Sequence, residues 1–406
     1  MILNSVALQD KKFGKEIEMF LANTDRKYWE KLIRKIDSTG GKFRRNYLQI
    51  RNPFAEGIRQ YLHLLETGKS VWKNRSPEID YLAGKVFIVN RILKHVSKKA
   101  KNEIISKLKS KDIRSFLHEL TMATHFLRNN FDVDFVEYER SHSRGRTFDF
   151  LVSKDSMQAE IECKTKSYDA GRMVTREGFY ILCDEIMKQL VSYKVKCIIE
   201  INCSKHLGQN QSTFIEIVQE LKSAIHDSRG RIVFDKDFSI NINYLPPEVK
   251  INSDESFASA IQQFLTPRSH FATVSNNEIT IIIKVASETE DNVLKALYDE
   301  LKKSLDQFSN ERPTLIACYI EGIYPEQWEA LRKESGLAAI TSRLLGKKKA
   351  SHIHTVAYSS DVEIIKNGNI IDQTHTVFFL KNENCSYYKG QDIFDLKANK
   401  YRNSLL

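Results

Sequence analysis

Proline is scarce in this chain, with 7 in 406 residues, and cysteine is scarcer still, with 6. So few cysteines over such a length do not make a disulfide framework. Cys163, Cys197, Cys203 and Cys318 stand in apolar, strand-like surroundings and read as small core residues. No apolar run approaches the roughly 20 residues that a membrane span needs, so no membrane partner is expected. The opening MILNSVALQDKKFGKE has neither the basic start nor the long apolar stretch of a signal peptide, and the expected location is cytoplasmic. There is no repeat and no low-complexity tract. What remains, 41% hydrophobic and 28% charged residues, is the composition of a soluble globular chain with room for two or three domains.

The net charge is +10 and is unevenly placed: residues 1–115 carry 26 Lys and Arg against 12 Asp and Glu, or +14, leaving −4 for the rest. A basic face is the usual footprint of a polyanion, nucleic acid above all. The alternatives are a solvated lysine-rich surface, or docking on the acidic remainder of the chain or on a second copy, as a homodimer.

Hydrophobic periodicity divides the chain into three segments. Residues 1–110 form a helical basic region, with helix-period runs at Phe20–Ile36, Phe54–Leu65 and from Tyr81, broken at Ser38–Gly41, Asn52-Pro53 and Ser76-Pro77. Residues 111–206 run helix (Phe116–Arg128), strand (Val133–Tyr138), strand (Thr147–Val152), strand (Gln158–Lys166), helix (Phe179–Tyr193) and strand (Lys196–Cys203). Residues 207–406 read as α/β, with strands at Arg231–Phe234, Ile279–Ala286, Thr314–Ile320, His352–Tyr358 and Thr376–Leu380. Helices are expected there at Phe214–Ile225, Ser256–Phe264, Glu290–Phe308 and Glu326–Leu345, and a turn at Asn367-Gly368-Asn369. The fold class is α/β.

The chemistry lies in RTFDFLV and AEIECKTKS. Side chains alternate along a strand, so Asp149 leaves the face of Phe148, Phe150 and Val152, while Glu160, Glu162, Lys164 and Lys166 share one. Pairing the two strands as a hairpin converges Asp149, Glu162 and Lys164. Two close carboxylates repel unless a cation lies between them, and hard oxygen donors suit Mg²⁺ or Mn²⁺. With a lysine beside them to hold a water, the set fits metal-assisted phosphodiester hydrolysis.

The D-x12-E-x-K spacing within α-β-β-β-α-β order resembles the PD-(D/E)xK nuclease superfamily, over about Asp112–Cys203. The resemblance implies a restriction-endonuclease-like core, with Asp149 and Glu162 as metal ligands, joined by the backbone carbonyl of Cys163, and Lys164 orienting the attacking water. Phe148 stands where the family motif has proline, a position that varies widely. Glu119, set in the apolar stripe of Phe116, Leu120, Ala123 and Leu127, needs a partner, and the resemblance places a first-helix glutamate at the metal; a structural ion pair is the other reading. Gln189 and Tyr193 match the Q-x-x-x-Y of the recombination-exonuclease branch, where the pair helps line the site.

A rival set, Asp235, Glu248 and Lys250, has the same spacing, but Pro246 and Pro247 interrupt its second strand. Thr67-Gly68-Lys69-Ser70 lacks the earlier glycine of a phosphate-binding loop, and His352 with His354 lack a third zinc ligand. The polar loops bearing Arg144 and Arg146, and Arg172 and Arg176, suit phosphates and solvent equally. The expected function is a Mg²⁺-dependent nuclease acting on nucleic acid, DNA before RNA, in bacterial restriction or anti-phage defence. The alternatives are a catalytically inactive member of the fold that binds nucleic acid or a protein, and an accidental motif.

Overall fold

The computed structural model describes residues 2–109, 113–136, 148–208, 211–227, 230–234, 237–245, 269–275, 278–323, 325–333, 335–366 and 369–387, the side chains of 2–10, 211, 231–234, 325–326, 361–366 and 369–376 excepted. These residues form a mixed α/β protein of twelve α-helices and two mixed sheets. The chain makes two compact units: Met1–Arg34, Asn52–Tyr168 and Leu294–Leu406 form the first, Lys35–Arg51 and Asp169–Val293 the second. They cut across the three consecutive segments 1–110, 111–206 and 207–406.

The N-terminal helices are α1 (Ile2–Thr24), α2 (Arg26–Asp37), α3 (Lys42–Arg51), α4 (Pro53–Glu66), α5 (Pro77–His95), α6 (Lys98–Leu108) and α7 (Ile113–Arg128). Their boundaries are local chemistry. Asp25, with φ +69°, divides the run that reads as one helix into α1 and α2. Ser76 caps α5 by accepting the Ile79 N–H at 3.2 Å, with Pro77 in the first turn, and Ser97 caps α6 through Ala100 N–H at 3.2 Å.

This region does not keep a core of its own. Phe20, Trp29 and Phe54 pack at ring separations of 5.0–5.8 Å, and the same buried cluster runs through Val86, Val89, Phe116 and Leu120 to Phe150, Ile161, Leu315 and Ala317 in the sheet. The apolar stripes of α1, α4 and α5 pack on one another, and α7 carries the same core onward to the strands.

The first unit's sheet has strand order β1-β2-β3-β9-β10-β11, with β1 (Asp132–Asp134), β2 (Phe150–Lys154), β3 (Met157–Ser167), β9 (Thr314–Glu321), β10 (Ile353–Lys366) and β11 (Asn369–Lys381). β1, β2 and β3 pair antiparallel, β3 pairs parallel with β9 and β9 with β10, and β10 pairs antiparallel with β11; Asn367 and Gly368 of the expected turn lie outside the described residues. Helix α10 (Val293–Ser304) precedes β9; α11 (Pro325–Lys333) and α12 (Gly336–Leu345) follow it.

The second unit holds α3, α8 (Arg176–Leu190), α9 (Gln211–His226) and a sheet of order β5-β6-β4-β8-β7. Its strands are β4 (Lys196–Cys203), β5 (Arg231–Phe234), β6 (Phe238–Tyr244), β7 (Ser269–Ser275) and β8 (Thr280–Ser287). Cys197, Ile199, Ile201 and Cys203 of β4 are buried with Phe179 and Leu182 of α8 and Phe214 and Leu221 of α9. Asp184 of α8 accepts the N–H groups of Phe43 (2.9 Å) and Arg44 (2.8 Å), capping α3. Gly41, with φ +89°, is required there, because a Cβ would lie 2.1 Å from the Asp184 carboxylate.

One expected neighbour is corrected. Lys196–Cys203 forms as expected but belongs to the second sheet, between β6 and β8. The strand beside β3 is β9. The reason is burial: β4 alternates half-buried and buried residues, whereas β9 is buried along nearly its whole length, as a strand covered on both faces requires. In the first unit the order is therefore α7-β1-β2-β3-α10-β9, with residues 169–293 inserted after β3.

Candidate active site

The β2–β3 hairpin is set by the register Phe150↔Ile161 through Lys154↔Met157. Ala159, Ile161 and Cys163 join the core under α7, which leaves Glu160, Glu162 and Lys164 on the other face, as alternation demands. Each has its own role. Glu160, fully buried, accepts Arg312 Nη1 at 3.1 Å and Ser309 N–H at 2.9 Å, and also bonds the Ser309 hydroxyl. It anchors the loop after α10. Lys166 pairs with Glu300 of α10 at 3.3 Å. Between them, Glu162 (side chain 2% exposed) meets the Lys164 ammonium at 2.5 Å.

Asp149 leaves the regular ladder. Its N–H bonds Ile161 O at 3.1 Å although Phe150 is the residue paired with Ile161. Its carboxylate turns onto the edge of β3, where Oδ2 accepts the Cys163 N–H at 2.6 Å. Main-chain N–H and C=O of one strand residue point the same way, so the Cys163 carbonyl also faces the Asp149 side.

Charge gathers at Cys163. Burial pushes its thiol well up, and the negative charges of Asp149, Glu119 and Glu162 add to this while Lys164 opposes it. For Lys164 the largest influence, burial, lowers the pKa. The carboxylates of Glu162, Asp149 and Glu300 together outweigh it, so the ammonium is held above its ordinary value.

Asp149, Glu162 and Lys164 thus come together. Glu119 is half-buried on α7, which covers the opposite face of the sheet, and its charge is felt at the Cys163 thiol. Gln189 is exposed on α8 in the second unit. Because α8 ends at Leu190 and Val191–Tyr193 is a 3₁₀ turn, Gln189 and Tyr193 do not share the α-helical face expected for them. Arg172 and Arg176 are buried rather than offered to solvent, Arg172 lying 3.4 Å from Asp291. His352 and His354 are core residues. Asp235, Glu248, Lys250, Arg144 and Arg146, and the helix expected at Ser256–Phe264, lie outside the described residues. Glu300 was not singled out from sequence; its signal was its place on a helix ahead of the strand Thr314–Glu321, which is buried along nearly its whole length.

Among the described residues no three His, Cys, Asp or Glu side chains are gathered into a ready metal shell. Two carboxylates and a main-chain carbonyl are hard donors, however, and Mg²⁺ commonly takes only one or two carboxylates from a protein, filling its shell with water and substrate phosphate oxygens. The residues present fit such a cation. No family model matches this chain, and no curated protein is similar to it.

Proposed function

We propose that this chain is a metal-dependent nuclease that hydrolyses phosphodiester bonds, with DNA as the favoured substrate. The observation that carries the reading is the meeting of Asp149, Glu162 and Lys164 where β2 begins beside β3, with the Cys163 amide fixing Asp149. The α7-β1-β2-β3-α10-β9 order, with β3 antiparallel to β2 and parallel to β9, supports it. So does the concentration of positive charge in residues 1–115.

Asp149, Glu162 and the Cys163 carbonyl would hold Mg²⁺ or Mn²⁺, which polarises the phosphate and acidifies a bound water. Lys164, held protonated, donates to the attacking water or to a non-bridging phosphate oxygen, positioning rather than deprotonating it. Glu162 keeps Lys164 in place, and Glu300 adds negative charge behind it. Glu119 would act from the α7 side of β3. Bacterial restriction or anti-phage defence is the setting we favour for such an activity.

The test is incubation of the purified chain with supercoiled plasmid, linear duplex, single-stranded DNA and RNA, in Mg²⁺, in Mn²⁺ and in EDTA. Metal-dependent cleavage lost in Glu162→Gln supports the proposal. Binding without cleavage under every condition makes the chain a catalytically inactive binding protein instead.

A further inference from the structure

Glu162, Lys164 and Lys166 alternate along β3, so all three stand on the face away from α7. Helix α10 meets that face. Its Glu300 accepts Lys166 Nζ at 3.3 Å and Lys303 Nζ at 3.1 Å. Both bonds end on the same oxygen, Oε2, and neither uses Oε1. A carboxylate has room for about four such bonds. Glu300 is mostly buried, so its charge is weakly screened. Lys164 feels that charge together with those of Glu162 and Asp149. So does Cys318, the register partner of Lys164 on β9, whose buried thiol responds to Glu300, Lys164 and Lys166 together.

Glu162 has two claims on it. Lys164 already meets its Oε1 at 2.5 Å, and the nuclease reading makes the same carboxylate a ligand of Mg²⁺ or Mn²⁺. An ammonium and a dication on one carboxylate stand a few ångströms apart and repel. The ammonium must then ease away from Glu162, yet it is mostly buried and loses stability without a partner. Of the two other carboxylates it feels, Asp149 belongs to the same ligand set. Glu300 does not, and it bonds Lys166, two residues or about 7 Å further along the same face. We propose that Glu300 is a positioning residue, which receives the Lys164 ammonium as Glu162 takes a divalent cation. Lys164 then stays charged and ordered beside the water it positions. In the metal-free chain the ammonium neutralises Glu162 in the cation's stead. The inference rests on the nuclease reading for the purpose of the cation, but its test needs no hydrolysis.

The measurement is Mn²⁺ binding to the full chain without nucleic acid, read from the electron paramagnetic resonance signal of the free ion. Glu300→Gln keeps the shape and loses the charge, and should weaken Mn²⁺ binding about tenfold. Lys164→Met removes the competing ammonium and should tighten binding about tenfold. In the Lys164→Met chain, adding Glu300→Gln should cost no more than about twofold, because no ammonium remains to be received. Asp306→Asn removes an exposed charge just past the same helix, paired with Lys349, and should bind as the unaltered chain. Melting curves establish that each variant is folded, and Lys164→Gln takes the place of Lys164→Met if that variant is not. An equal loss from Glu300→Gln with and without Lys164 overturns the inference, since it would be a through-space effect of charge alone. So does a Glu300→Gln chain that binds as the unaltered one, a Lys164→Met chain that binds no tighter, or an unaltered chain that binds no Mn²⁺. Cleavage is scored separately. If the four chains bind as expected but no substrate is cleaved in Mg²⁺ or Mn²⁺, the role of Glu300 stands and the nuclease reading falls. If cleavage occurs and the binding pattern fails, the nuclease reading stands and the role of Glu300 falls.

Discussion

The carboxylate of Asp149 accepts the main-chain N–H of Cys163 at 2.6 Å, so the residue just before β2 is fixed to the strand that carries Glu162 and Lys164. Asparagine keeps an oxygen that can accept this bond and loses only the charge. Asp149→Asn should therefore melt close to the unaltered chain while cleavage falls about a hundredfold or more. Asp149→Ala loses the acceptor as well and should cost a further ~1–3 kcal/mol of stability. Thermal melts beside plasmid cleavage separate the two effects; an active Asp149→Asn would remove Asp149 from the site.

Lys164 and Glu162 form a largely buried pair, and removing one partner strands the other. Lys164→Met should lower stability by about 3 kcal/mol in EDTA, measured by urea unfolding. The sign with pH follows from the raised pKa of Lys164. Its contribution is full below the ordinary lysine value of 10.5 and is lost only as pH climbs through the higher folded value. The difference between the two proteins should be flat from pH 7 to about 10 and shrink above that. A difference already gone at pH 8 would contradict the assignment.

Glu160 lies two residues before Glu162 and does different work. Its bonds go to Ser309 and Arg312, holding the loop ahead of β9. Arg312→Ala should destabilise the chain by ~1–3 kcal/mol. Cleavage per folded molecule should stay within about twofold of the unaltered chain. A large loss of turnover at full folding would move Glu160 into the site.

None of the six cysteines is in a disulfide, and all are buried. Burial pushes the thiols of Cys197, Cys203 and Cys318 up to about 12, with the Glu288 charge adding to the effect at Cys203. Thiolate is the reactive form, so iodoacetamide at pH 8 should label the native chain hardly at all and label it rapidly in denaturant. Mass spectrometry of the labelled protein decides it.

Helices α1, α4, α5 and α6 share one core with β2, β3 and β9. A chain starting near residue 110 should not fold, and circular dichroism of that fragment is the check. The phosphate-binding role of the basic region is better tested on the intact chain. Lys98→Glu with Lys101→Glu, on α6, should flatten the salt dependence of duplex affinity.

Much of this was legible in sequence because it is local. The hairpin of Phe150–Lys154 with Met157–Ser167, the helix bearing Glu119 and the strand Lys196–Cys203 follow from periodicity and turn residues alone. Two strands were missed: Phe238–Tyr244 alternates cleanly, but with Ser239, Asn241 and Asn243 as its polar members, and Ser269–Ser275 mixes Ser, His and Thr with only Phe271, Ala272 and Val274 apolar. Asparagine is depleted in strands, which masks the alternation. The partner of β3 could not come from neighbouring residues, since nothing near Lys164 names Thr314–Glu321. The signal lay in the contrast between a strand that alternates and the continuous apolar run Leu315–Ile320, interrupted only by Tyr319. Gln189 was drawn toward the site by its Q-x-x-x-Y spacing to Tyr193, a pattern that presumes one continuous α-helix where the chain instead turns into a 3₁₀ segment at Val191.

The placement of residues 169–293 between β3 and β9 also sets a timetable for synthesis. When β3 leaves the ribosome its parallel neighbour does not yet exist, because residues 168–313 must be translated first. At 5–20 residues per second this is a wait on the order of ten seconds. During that wait the second unit has all of its chain, including the 35–51 segment made earlier, and can close first. The closing contact, Asn292 N–H to Gly171 O at 2.6 Å, ties its exit to its entrance. β3 meanwhile presents an unpaired edge bearing Glu160, Glu162, Lys164 and Lys166. Four charged side chains on one strand are a natural guard against mispairing. The residues proposed for cutting nucleic acid would then also keep the half-made chain from aggregating.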